Sequence, residues 1–215
     1  MNLGDILLLL AALGSFFSML LRLISLKSEK REHTSYSAML SIVTFTVLSM
    51  TLFYLAMLFL TSDMSISYVW QFSSRDLDPL YKLSGVWAGA SGSLLLWIWM
   101  MSLALTVEVV LEGKRTYLSQ KFCGIFQISL SLVIFVFILM LLTMNLFAPT
   151  VASANDAWRL TYYPDGWGMS FLLQTPEMAI HPPVIFAAYA FAICVLGASV
   201  AYQLTGERNW HMLSL

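Results

Sequence analysis

Residues 122–147 read FCGIFQISLSLVIFVFILMLLTMNLF, with no Asp, Glu, Lys or Arg anywhere in the run. A helix rises about 1.5 Å per residue, so the stretch is long enough to cross a hydrocarbon core of roughly 30 Å. In lipid the backbone has no water to bond, so a lone crossing segment has to be helical. Four more stretches pass the same length test, at 3–26, 38–60, 85–109 and 183–204. The expected fold is therefore all-α, a polytopic membrane bundle of five spans forming one integral-membrane domain over 1–215.

Composition supports that reading. Hydrophobic residues make up 59% of the chain and charged residues 11%. Soluble domains carry roughly 25% charged residues. The mean hydropathy is +0.79. These values exclude a soluble enzyme and a disordered chain. The net charge of −1 gives no footing for nucleic acid. Cys123 and Cys194 lie apart within apolar runs, which does not fit a disulfide framework or a C-x-x-C pair.

The first span is read as retained, because no basic residue precedes it and no A-x-A site is evident. Orientation follows from the positive-inside rule. With the N-terminus outside, the cytoplasmic set is Arg22, Lys27, Lys30, Arg31, Lys114, Arg115, Lys121 and Arg208. Only Arg75, Lys82 and Arg159 are then outside. The chain is expected to run N-out, C-in, in the plasma (inner) membrane. The outer loops, 61–84 and 148–182, are long and rich in rings: Tyr68, Trp70, Phe72, Tyr81, Trp158, Tyr162, Tyr163 and Trp167. Such rings can form an interfacial belt or a surface for a flat apolar ligand or a partner helix.

Two segments stand out. In the first, Gly85, Gly89 and Ser93 fall on one face of the expected third span. Small residues at that spacing admit a close neighbouring helix, although here small residues cover every face, beside Trp87 and Trp97. The second is 172–183, LLQTPEMAIHPP. The residue before a proline is biased away from helix, so His181 is expected just ahead of the fifth span, stiffened by Pro182 and Pro183. Neutral imidazole is the form that ligates a metal or haem iron; a loop histidine with a water or carbonyl partner fits the pattern too. His33 sits in a charged run and His211 in the tail. Among polar residues in the spans, Glu108 is expected to snorkel near the cytoplasmic end, with Gln127 and Asn145 near the two ends of the fourth. No deeply placed ionisable group is expected, which argues against a pump or proton relay.

These segments carry a resemblance. Residues 87–97, preceded by Tyr68-Val69-Trp70-Gln71-Phe72-Ser73-Ser74-Arg75-Asp76-Leu77 and Tyr81-Lys82, are similar to the N-terminal part of CcmF-type cytochrome c haem lyases. There a Y-V-x-x-Y-S-S-R segment precedes W-(A/G)-G-x-x-G-S-L-L-L-W. Residues 172–183 resemble the same family's L-L-Q-x-P-x-x-x-I-H-P-P. The resemblance covers about residues 68 to 189.

It implies a cytochrome c-type biogenesis protein that holds b-type haem in transit at the outer, periplasmic face for attachment to the CxxCH of apocytochrome c. His181 takes the place of the axial ligand in that family. Trp87, Gly89, Gly92, Ser93 and Trp97 match the first motif, and Pro182 and Pro183 the second, in structural or haem-adjacent roles. Implied partners are a haem chaperone, apocytochrome c with its thiol-reducing factors, and membrane lipid. Ala90 and Ser91 depart from the family's His-Glu or Gln-Glu, so no role passes to them. The family's Trp-rich W-G-x-x-W-x-W-D segment and further histidines have no counterpart here. A split or truncated lyase is therefore expected, sharing its haem with a second chain that carries the W-x-W-D segment. Activity of this chain alone is not expected. The competing reading is a scaffolding subunit without haem contact, with the small-residue face as its interface. A transporter fragment fits poorly without paired broken helices.

Overall fold

The computed structural model describes residues 2–28, 31–112 and 118–207. Lys30, Lys114, Arg115, Arg208 and His211 lie outside the described residues. Five helices are long and apolar enough to cross a membrane: α1 (Leu3–Ser28), α2 (Arg31–Leu60), α5 (Ala90–Glu112), α6 (Gln120–Thr143) and α8 (Pro176–Thr205). Between α2 and α5 lie two short helices, α3 (Ser67–Phe72) and α4 (Pro79–Gly85). Between α6 and α8 lies α7 (Trp158–Tyr162). Among the described residues there is one isolated β-bridge, Ile66 to Pro149.

Local chemistry sets the helix ends. Asp78 caps α4 by accepting the Leu80 N–H, with Pro79 in the first turn where no donor is required. Ser119 caps α6 by accepting the Phe122 N–H. That helix closes at Thr143, and Asn145 then turns the chain with φ +50°. Gly206, at φ +70°, closes α8 by donating its N–H to the Tyr202 carbonyl.

Four spans form a ring in which α1 packs on α2, α2 on α5, α5 on α6, and α6 back on α1. The fifth, α8, lies against α5 and α6. With lipid tails as apolar as leucine, span association rests on close packing and on hydrogen bonds between helices. Both occur here. The Ser18 hydroxyl of α1 is bonded to the Ser41 hydroxyl of α2 at 2.7 Å, and Ser37 donates to the Ser18 carbonyl. Ser15 donates to the Ser131 carbonyl of α6. The Trp99 indole of α5 donates to the Ser49 hydroxyl of α2.

Span boundaries differ from the sequence-based expectation at several ends. The second helix begins at Arg31, because its polar first turns are helical outside the apolar stretch. The third span begins at Ala90, after a turn over 86–89, so Gly85, Gly89 and Ser93 do not share one helix face. The fourth ends at Thr143 rather than 147. The fifth starts at Pro176, so His181 is inside the helix and not ahead of it. Pro176 takes the first-turn position, and the helix then runs through Pro182 and Pro183 despite their lost N–H groups.

Glu108 and Arg22 also depart from expectation. Glu108 is 7% exposed and Arg22 only 2%, so neither snorkels to water. Arg22 of α1 pairs with Glu112 of α5, which also accepts the Gln127 side chain of α6 at 3.0 Å. Three spans are thus joined by one charged knot at the end of the bundle opposite the long loops. Neither Cys123 nor Cys194 is in a disulfide.

Candidate functional site

The two long loops meet at one end of the bundle and are stitched main chain to main chain. Ser67 donates to the Ala148 carbonyl, and Thr150 to the Ser65 carbonyl. Arg75 donates to the Asp165 carbonyl, Trp167 to that of Trp70, and Gly168 to that of Ser73. The α1 N-terminus joins the same end, where the Asn2 side chain donates to the Phe147 carbonyl.

Side chains reinforce this seam. The Trp70 indole donates to the Tyr163 carbonyl at 3.0 Å. Arg159 lies over the Trp70 ring, 5.5 Å from its centroid. Trp70, Trp158, Tyr163 and Trp167 form one chain of ring contacts, with centroids 4.8 to 6.4 Å apart. A groove of about 470 Å3 opens beside them, lined by Phe72, Trp167, Met169 and Phe171 among others. The rings are thus a packed platform, and the three basic residues of these loops help hold it. Lys82 donates to the Ser62 hydroxyl and the Arg75 carbonyl.

Within this platform Tyr68 is a hub. Its hydroxyl accepts the Gly89 N–H at 3.0 Å and lies 3.2 Å from both the Val86 and Gly89 carbonyls. Burial pushes its phenol well above the ordinary value, against the pull of nearby backbone hydrogen bonds. The first motif is built round this ring. A Cβ at Gly92 would stand 1.8 Å from the Val86 carbonyl oxygen and 2.4 Å from the Tyr68 hydroxyl. At Gly89 it would meet the Phe72 ring at 2.6 Å. Ser93 donates to the Trp87 carbonyl at 2.8 Å. The small residues therefore let the 86–89 turn fold back on α5 and seat α3 against it. They do not form an open face. Tyr68 stood in the sequence as one ring among eight; its burial under two glycines that do not precede it in a helix left no periodic signal.

Trp97 of α5 sits among rings of two other spans: Phe137 of α6 at 4.9 Å, and Tyr189 and Phe186 of α8 at 5.6 and 6.3 Å. It fixes where α8 lies. Trp87 reaches α8 directly, donating its indole N–H to the Met178 carbonyl at 2.8 Å. The two motifs are thus in contact. His181 follows in the same turn of α8, exposed and without a hydrogen-bond partner among the described residues. Among those residues no three His, Cys, Asp or Glu side chains cluster as a metal site. A bare ion needs several protein ligands. Haem iron has its equatorial positions filled by the porphyrin and needs only axial ligands. A single exposed histidine, one turn on from the Met178 carbonyl that Trp87 holds, is compatible with the second case.

Fold and site together define a class: a membrane-spanning helical protein with one end built into an aromatic, hydrogen-bonded platform, and an exposed histidine in the first turns of the last described span. Residues 87–213 match the family model described as cytochrome C assembly protein, and the chain belongs to that family. Among curated proteins it is 28% identical over 150 residues to cytochrome c-type biogenesis protein ccl1 of Rhodobacter capsulatus, covering 69% of this chain and 21% of that one. It is 29% identical to CycK of Rhizobium meliloti, covering 72% and 21%, and 29% identical to CcmF of Haemophilus influenzae, covering 76% and 24%. Both are likewise named cytochrome c-type biogenesis proteins. The chain thus spans under a quarter of the length of these relatives. No solved structure matches it.

Proposed function

We propose that this chain is the N-terminal part of a haem lyase, presenting haem for covalent attachment to apocytochrome c. The observation that carries the reading is His181: an exposed imidazole with no internal partner, at the platform end of α8. The one available nitrogen lone pair of a neutral imidazole, left without an internal partner at such a place, suits an axial ligand. The haem would supply vinyl groups that take up the cysteine thiols of CxxCH. This chain's residues would hold and orient. His181 would hold the iron, the aromatic platform would shield a flat apolar face, and the loop seam would keep both in register. The remaining axial ligand, the W-x-W-D segment, the haem chaperone and the thiol-reducing factors would come from partner proteins. The platform end would face the periplasm, with the N-terminus outside and the C-terminus cytoplasmic.

The scaffolding alternative loses its main support. The small residues it needs as an interface are occupied by Tyr68, Phe72 and the Val86 carbonyl. The test is a His181→Ala strain expressing normal amounts of protein. Cytochrome c maturation is expected to fall at least tenfold, measured as covalent haem staining. Unchanged maturation would sink the reading.

A further inference from the structure

We propose that Trp87 is a positioning residue for His181, acting through the main-chain carbonyl that Pro182 releases. The inference deepens the haem-ligand reading of His181 and rests on it. In an unbroken α-helix the Met178 carbonyl would accept the N–H of residue 182. Proline has no N–H, so this carbonyl is left over by the sequence. A carbonyl left unpaired in an apolar setting is costly. The Trp87 indole fills the gap at 2.8 Å.

The turn bearing His181 is therefore tied sideways to the 86–89 turn as well as along its own helix. That turn is itself fixed. Its carbonyl at Trp87 takes the Ser93 hydroxyl, and Gly89 and Val86 flank the Tyr68 hydroxyl. A proline in one motif and a tryptophan in the other, remote in sequence, form a single donor–acceptor joint that aims the ligand histidine.

A conditional test follows, on the full chain with its partner proteins in lipid nanodiscs. Trp87→Phe keeps a ring and deletes the donor. Pro182→Ala restores the helix's own donor to Met178. Trp87→Phe is expected to weaken haem retention by up to about tenfold, the effect of one lost part-buried hydrogen bond, and to shift the haem midpoint potential. The same change in a Pro182→Ala background is expected to do neither. Slow exchange of the 15N-labelled Trp87 indole N–H reads the joint without haem, and Pro182→Ala is expected to speed it. Equal cost of Trp87→Phe in both backgrounds, or fast indole exchange in the wild type, overturns the proposal. Haem unchanged by Trp87→Phe but lost in His181→Ala also overturns it. Haem unchanged in both variants overturns instead the haem-ligand reading itself.

Discussion

Tyr68 shows how much one buried hydroxyl can organise. Its ring meets Phe59 and Phe72, with centroids 5.7 and 5.0 Å away, while its oxygen serves the 86–89 turn. Tyr68→Phe is expected to cost about 1–3 kcal/mol by orphaning the Gly89 N–H, seen as a lower midpoint in thermal unfolding. Its titration has a defined sign. The folded phenol holds its proton above the ordinary value near 10, where the unfolded one releases it. The native state then binds more protons, so stability falls as pH rises past about 10. Tyr68→Phe should flatten that alkaline limb. Arg22 is the other residue whose loss should be severe. Arg22→Ala leaves the half-buried Glu112 carboxylate with only the Gln127 amide as partner, at a cost below the roughly 3–5 kcal/mol of a fully buried orphaned charge, whereas replacing both partners with apolar residues should be far milder. A double-mutant cycle in detergent checks both.

At the scale of elements, the spans were legible in the sequence because hydrophobic length alone marks them, and all five are present. Their ends were less so. The third span was read to start at Gly85, since a window of apolar and small residues cannot register a tertiary hydroxyl holding 86–89 in a turn. The fifth was read to start after His181, since the bias of a pre-proline residue is local. It misses Pro176 and the Trp87 indole, which make an early start affordable. The Arg22–Glu112 pair was invisible for a similar reason: 90 residues separate the partners, and position near a span end reads as solvent. The two motifs stand out in the sequence, but the Trp87–Met178 bond that joins them does not. Gly92→Ala tests the turn between α4 and α5. A methyl group there meets the Val86 carbonyl and the buried Tyr68 hydroxyl, so α3 and the 86–89 turn must move. The Gly89 amide, bonded to Tyr68 in the wild type, is expected to exchange faster, with α1 and α2 unaffected.

For the whole molecule, the loop seam and the proposed orientation make opposite ends chemically distinguishable. Asp165 lies exposed in the seam, and its ion pair with Arg75 is solvent-facing, so Asp165→Cys should be tolerated. In intact cells a membrane-impermeant maleimide is expected to label that cysteine, and to label Lys27→Cys only after lysis. The reverse pattern would invert the topology.

The ring of α1, α2, α5 and α6 is complete within residues 3–143, while α8 comes last and leans on its α5 and α6 edge. A chain made from its N-terminus can therefore close the ring before His181 is synthesised. The Phe72–Tyr68 turn, the Trp97 ring and the Trp87 donor are already waiting when the helix emerges. Order of birth then acts as a safeguard: a chain halted before residue 181 lacks the proposed ligand, and His181 arrives only when its berth is built.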